Sequence, residues 1–186
     1  EHPMHYPDLD ALPDDLKAII AGKNNANVYK MLMHTPNLAP SFTAMADAVM
    51  WSKAWSATWR ELAIVRVGRH FASAYEVHQH EALGRLMGLS DEKLAACEIG
   101  ADDSELDEAE RTIVQLTDAI VTNHTLSDTE RAAAMALMNP NQFADFVMTV
   151  GYYQMVSNFL NVFEVEIEDH SLFPEPKPNA ERGGRA

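Results

Sequence analysis

The sequence predicts an all-α protein, a single-domain helical bundle. Apolar residues recur at helical spacing through nearly every long segment. No β-branched run alternates over the length of a strand. Glycines and prolines fall between the periodic runs. With 186 residues, 47% of them apolar and 23% charged, the chain is long enough for one good core and too short for two large domains.

In chain order, helices are expected at about 13–21, 26–34, 39–54, 58–71, 74–87, 91–98, 107–122, 128–138 and 140–164. The first two follow a polar arm that runs to about Pro13. Trp51, Trp55 and Trp59 recur at a spacing of four, which predicts one aromatic edge given over to core or subunit interface. Four starts carry the capping-box pattern, a Ser, Thr or Asp followed three residues later by Glu: Thr58 with Glu61, Ser73 with Glu76, Asp107 with Glu110, and Ser127 with Glu130. Gly88 reads as a C-terminal stop. In the last helix Phe143, Phe146, Val147 and Val150 form one apolar stripe, continued by Tyr153, Phe159 and Phe163. Short connections favour antiparallel neighbours. The tail from Pro174, PEPKPNAERGGRA, is polar and Pro/Gly-rich, and is expected to be extended or mobile, or to wrap a neighbouring subunit.

Composition excludes several functions. Fourteen basic against 28 acidic side chains leave a net charge of −14, which argues against nucleic acid and anionic membranes as partners. A single cysteine, Cys97, rules out an intrachain disulfide or a thiolate metal cluster, and a reducing cytoplasm is the expected compartment. No run approaches the roughly 18 apolar residues of a membrane span. The opening EHPMHYPDLD lacks the basic start and apolar stretch of a signal peptide. It also lacks an initiating Met, so processing or trimming is expected.

The chemistry concentrates in SAYEVHQH, Ser73 to His80. On a helix Glu76 and His80, four apart, share one face, and that face continues into Leu83 and Met87. His78 points the other way. A His-x-His pair chelates well from a strand and poorly from a helix, so no metal site is expected there. Glu61 lies in line with Ile64, Val65 and Gly68 on the preceding helix. If the two helices form a hairpin, these polar groups can satisfy one another in a pocket, since buried carboxylates and imidazoles need partners. The alternative is a non-catalytic helical oligomer or ligand-binding module, in which Glu61 and Glu76 are only helix caps.

The segment TWRELAIVRVGRHFASAYEVHQHEALGRLMGLS resembles the central hairpin of the carboxymuconolactone decarboxylase-like family, within the alkyl hydroperoxidase D-like superfamily. The match is carried by R-E-L-A-I-V-R, Y-E-x-x-x-H and G-L-S. DEAERTIVQLTDAI and VGYYQMVSNFLNVFEVE are similar to the family's C-terminal helices. The resemblance covers roughly residues 38–168 as a core, with an N-terminal arm and extra helices over 1–37 and a tail over 169–186. It implies a bundle of the alkyl hydroperoxidase D-like type. The family's redox branch carries E-x11-C-x2-C-x3-H. Here Glu61 and His80 keep the ends of that motif, whereas Ser73 and Glu76 stand at the cysteine positions, so thiol peroxidase chemistry is not expected.

What remains resembles the cysteine-free branch and implies a lyase or decarboxylase without cofactor. Its substrate would be a small carboxylated or cyclic molecule from aromatic-compound breakdown. Hydrolysis or isomerisation by the same acid–base pair follows equally well. His80 would be the general acid/base, Glu61 its orienting carboxylate, and Glu76 a second proton-transfer group. Ser73, Tyr75, Arg60, Tyr153 and Asn158 are the expected substrate contacts, with Arg60, Arg66, Arg69 and Arg85 the cations an anionic substrate would want. The resemblance also implies a homo-oligomer, a dimer, trimer or hexamer. The extra helices, the tail and Y-E-V-H-Q-H depart from the compact decarboxylases, so substrate identity does not follow from the resemblance.

Overall fold

The computed structural model describes residues 4–174. Among them nine α-helices and no strand form one helical domain: α1 (Asp14–Gly22), α2 (Asn27–Leu32), α3 (Ala39–Met50), α4 (Ala57–His70), α5 (Ala74–Met87), α6 (Asp91–Ile99), α7 (Glu108–Asn123), α8 (Asp128–Leu137) and α9 (Pro140–Val162). No described helix is long and apolar enough to cross a membrane. The tail expected to be extended lies, from residue 175 onward, outside the described residues.

The central helix is α4, which packs against α5, α6, α7 and α9. Leu62, Ala63, Ile64, Val65 and Val67 are all fully buried, so α4 is apolar on several sides, as a helix enclosed by its neighbours must be. Each large aliphatic side chain so buried contributes about 1.5–3 kcal/mol. Two glycines set the spacing of the α4–α5 hairpin. A Cβ on Gly68 would lie 2.9 Å from Val77 Cγ2, and one on Gly84 would lie 3.0 Å from Leu94 and 3.6 Å from the Cβ of Glu61. The close approach they allow brings the polar faces of α4 and α5 together.

A second layer is built from the N-terminal third. Leu16 and Ile20 of α1 pack with Leu32, Met33 and Ala39 around α2 and the start of α3. At the other end of the chain, Glu164 takes a φ of 50°, and residues 163–173 then run as a strap over α2 and α5. Val165 is buried, Asn27 Nδ2 donates to the Glu166 carbonyl at 2.9 Å, and Asn24 Nδ2 donates to the Leu172 carbonyl at 3.0 Å.

Several local expectations need correction. The helix expected over 39–54 ends at Met50, with Trp51 as its C-cap. Trp51 is exposed, Trp55 is buried in the connection and Trp59 belongs to α4, so the three tryptophans do not share a helical edge. Thr58 does not cap α4. Ser56 does, accepting from the Trp59 amide at 3.4 Å, which leaves Glu61 in the second turn. Ser73 stands at the N-cap of α5, but its hydroxyl makes no cap bond and is buried without a partner. Neither Glu61 nor Glu76 is therefore held by a capping box. The boxes at Asp107–Glu110 and Ser127–Glu130 do form, and a third joins Asn139 to Gln142 at the start of α9. Gly88 closes α5 with a φ of 103°. Val147 leaves the expected α9 stripe and is partly exposed, whereas Phe146 and Val150 are fully buried.

These two serines should separate in a stability measurement. Ser56→Ala is expected to cost about 1 kcal/mol. Ser73→Ala should fall within about 0.5 kcal/mol of wild type, or be more stable, because it deletes an unsatisfied buried hydroxyl. Urea unfolding midpoints of the two variants test this.

Candidate active site

Glu61 and His80, nineteen residues apart, meet across the hairpin: His80 Nδ1 lies 2.7 Å from Glu61 Oε2. The other ring nitrogen, Nε2, lies 3.0 Å from Oε1 of Glu76, one turn earlier on α5. Glu61 Oε1 in turn accepts from Arg60 Nε at 3.1 Å, and Arg60 Nη1 donates to the Ser52 carbonyl at 3.3 Å. All four side chains are buried, Glu61 completely. The result is a row of alternating charges, Arg60, Glu61, His80, Glu76, in which each charge faces an opposite one. With a carboxylate on each side, both ring nitrogens act as donors and the imidazole is protonated. Burial pushes its pKa down, but the negative fields of Glu76 and Glu61, with their hydrogen bonds, outweigh burial and lift it from 6.5 to about 9.

Glu76 and His80 form the floor of a cavity of about 440 Å³, within the size range of small-molecule sites. One wall is a chain of rings. Tyr153 meets His80 edge to face at 4.8 Å between centroids, Tyr152 meets Tyr153 at 5.3 Å, Phe42 meets Tyr152 at 5.3 Å, and Tyr29 meets Phe42 at 6.3 Å. Burial raises the phenol pKa of Tyr29, Tyr75, Tyr152 and Tyr153, keeping all four neutral. The outer wall is supplied by the α1–α2 turn, the end of α3, and Leu172 and Phe173 of the strap. There the Lys23 ammonium donates to Asp47.

Glu168 fastens the strap. Its Oε1 accepts from the Tyr75 hydroxyl at 2.7 Å and from the Asn27 amide at 2.5 Å, and its Oε2 accepts from Gln79 Nε2 at 2.5 Å. Tyr75 and Gln79 both line the cavity.

Of the residues singled out in the sequence, His80, Glu76, Tyr75 and Tyr153 border the cavity, and Glu61 stands directly behind His80. Arg60, Ser73 and Asn158 do not border it. Arg60 is committed to Glu61. Ser73 is sealed where α5 starts, its amide bonded to the Gly68 carbonyl at 2.9 Å. Asn158 is exposed on the outer face of α9, about 140° around the helix from Tyr153. The remaining arginines are also engaged elsewhere: Arg66 with Asp118 at 2.5 Å, Arg69 with Glu81 at 2.7 Å and Arg85 with Asp91 at 2.7 Å. His78 is exposed. Cys97 is buried, and burial pushes its thiol up to about 12, beyond use as a thiolate at neutral pH.

The sequence reading missed Gln79, Glu168, Tyr29 and the Lys23–Asp47 pair. Gln79 was within reach, being one turn beyond Tyr75 on the cavity-facing side of α5. Among the described residues no group of three or more His, Cys, Asp or Glu is arranged to hold a metal ion. His80 commits its two nitrogens to carboxylates on opposite sides of the ring.

The helical frame is that of the alkylhydroperoxidase D-like (AhpD-like) proteins. A peroxidase-related protein from Ralstonia eutropha with an alkylhydroperoxidase AhpD core superposes with a TM-score of 0.78 at 19% identity, over 91% of this chain and 95% of the other. A putative antioxidant defence protein AhpD from Agrobacterium tumefaciens gives 0.69 at 16% identity, over 75% of this chain and 96% of the other. The debrominase Bmp8, solved in complex with 2,3,4-tribromopyrrole, gives 0.72 at 13% identity, over 88% and 89%. No protein-family model and no curated protein matches the sequence. The shared property is the fold, which in Bmp8 carries an enzyme.

The charge state of His80 can be measured directly. Nitrogen-15 shifts should report both ring nitrogens protonated at neutral pH, titrating near 9, and Glu76→Gln should lower that value. The folded pKa is raised above the unfolded 6.5, so the stability it contributes is full below about 6.5 and is lost as pH rises through about 9. Thermal melts of wild type should therefore fall across that window, and those of His80→Gln should fall less. A titration near 6.5 in the folded protein would contradict the assignment.

Proposed function

We propose that the protein is a cofactor-independent acid–base enzyme of lyase or isomerase type, acting on a small cyclic molecule, a lactone or an aromatic-derived ring. One observation carries this reading: a histidine bonded through both nitrogens to buried carboxylates, at the floor of a ring-lined cavity. His80 is the general acid/base, Glu61 orients it and stabilises the imidazolium, and Glu76 is the second proton-transfer group.

The proton leaves a ring carbon for Glu76, and the electron pair passes to the neighbouring carbonyl oxygen as an enolate. Once Glu76 has taken the proton and lost its charge, its ion pair with His80 Nε2 is broken and the freed Nε2–H donates to that oxygen. Return of the proton to a different carbon completes an isomerisation, and expulsion of a leaving group completes a lyase reaction. Decarboxylation would use the same donor, His80 delivering its proton to carbon as carbon dioxide departs. Arg60, behind Glu61, holds that carboxylate aimed at Nδ1. The dry surroundings strengthen each of these interactions relative to water.

We also propose that the chain works as a homo-oligomer. Met148, Met155 and Val162 are exposed along α9, and they lie on one side of the helix together with Gly151 and Asn158. Such a row is the kind of surface that a second copy covers. Light scattering on the purified protein should give a mass above that of one chain.

The activity test is a screen of lactones and hydroxylated aromatic compounds for ultraviolet change, followed by variants. His80→Gln should lower kcat by about 10²–10⁴-fold with the circular dichroism spectrum retained. Glu61→Gln should also slow turnover, and the double variant should be no slower than the slower single one if the pair acts as a unit. The rate should fall as pH rises through about 9, where the imidazolium is lost. A folded His80→Gln variant with an unchanged rate would sink the assignment.

A further inference from the structure

The charges around the cavity restrict what can enter it. Lys23 is the one Lys or Arg that lines it among the described residues, and its ammonium is bonded to Asp47. His80 is positive but lies between Glu61 and Glu76. A further carboxylate, Glu168, stands behind Tyr75 and Gln79. Four carboxylates thus surround two wall cations, both already paired, and the third cation, Arg60, is spent on Glu61. An incoming carboxylate would lose its hydration and find no partner, which is the costly way to bury a charge. The other three arginines that could have anchored an anion, Arg66, Arg69 and Arg85, are committed to carboxylates away from the cavity.

The complementary need is for a donor. Glu76 is 3% exposed and borders the cavity. One of its oxygens, Oε1, lies 3.0 Å from His80 Nε2. A carboxylate has lone pairs on both oxygens, so one that borders a cavity and is engaged through a single oxygen can still accept from an O–H or N–H. The ring chain from Tyr153 through Tyr152 and Phe42 to Tyr29, with Trp51 and Phe173 at the outer end, offers flat apolar and edge-on surface to a planar molecule.

We propose that the cavity takes an uncharged aromatic or enolic ring bearing an O–H or N–H that donates to Glu76, and that it rejects the carboxylate of the same ring. This inference rests on the assignment of the cavity as the substrate site. Within that assignment it favours an isomerising or eliminating reaction on a neutral ring over decarboxylation of an acid.

Two probes of one shape decide it: 2-naphthol, uncharged at pH 7, and 2-naphthoate, titrated calorimetrically into the full-length protein. The naphthol should bind about tenfold or more tightly than the naphthoate. In Glu76→Gln, where the negative charge is gone, the ratio should narrow to about threefold or less. Naphthoate binding as tightly as naphthol, or no binding by either, overturns the proposal, and so does an unchanged ratio in a folded Glu76→Gln protein. The wild-type comparison needs no variant and decides the matter even where Glu76→Gln does not fold. Turnover in His80→Gln is a separate readout. A wild-type preference for naphthol beside an unaffected His80→Gln rate would keep the ligand class and overturn the acid–base mechanism. A lost preference beside an inactive variant would do the reverse.

Discussion

The rest of the structure depends on one arrangement, the buried row Arg60–Glu61–His80–Glu76. Four ionised groups inside a helical domain would be prohibitive singly, because each leaves its hydration behind. In alternation each meets an opposite charge at hydrogen-bond distance, and the row is tolerated as a unit. Removing one member leaves its neighbours buried and unpaired, which typically costs about 3–5 kcal/mol, more than the pair itself contributes. Two members lie on α4 and two on α5, so the row fixes the register of the hairpin. Sliding one helix past the other would separate Glu61 from His80 and bury both without partners.

The apolar frame serves this arrangement. Helix α4 is surrounded on several sides, so Glu61 sits in a dry interior where its field on the imidazole is barely screened. Gly68 and Gly84 let α5 approach closely enough for a side chain as short as glutamate to reach Nδ1. Tyr153 packs against the imidazole with the two rings nearly perpendicular. The large negative charge of the chain contributes little to any of this. What matters chemically is a few opposed charges whose distances are set by helix packing.

Much of the helical frame was legible in the sequence because its signals are local. Apolar periodicity and the boxes at Asp107 and Ser127 depend only on neighbours a few residues away. The boxes read at Thr58 and Ser73 look identical in sequence, yet they fail: Ser56 caps α4 in place of Thr58, leaving Glu61 to meet His80 across the hairpin, and Glu76 turns to His80 on its own helix. The shared face of Glu76 and His80 followed from helix geometry alone, whereas the pairing with Glu61 needed the hairpin. Arg60 and Asn158 carried suitable chemistry but point away from the cavity. That depends on which face of α4 and α9 is covered, and one strongly apolar helix sequence does not specify it. The outer wall was not legible at all, since Lys23, Leu172 and Phe173 come from two ends of the sequence and share no pattern.

That wall bears on the order in which the site can be assembled. The Asn27–Glu168 bond spans 141 positions and the Asn24–Leu172 bond spans 148, so both close very long loops, which are slow to find their ends. During synthesis α4 and α5 are available to pair well before the strap follows them. A nascent chain therefore carries its reactive glutamates and histidine in an open trough, and becomes a selective enclosure only when the strap closes over α2 and α5.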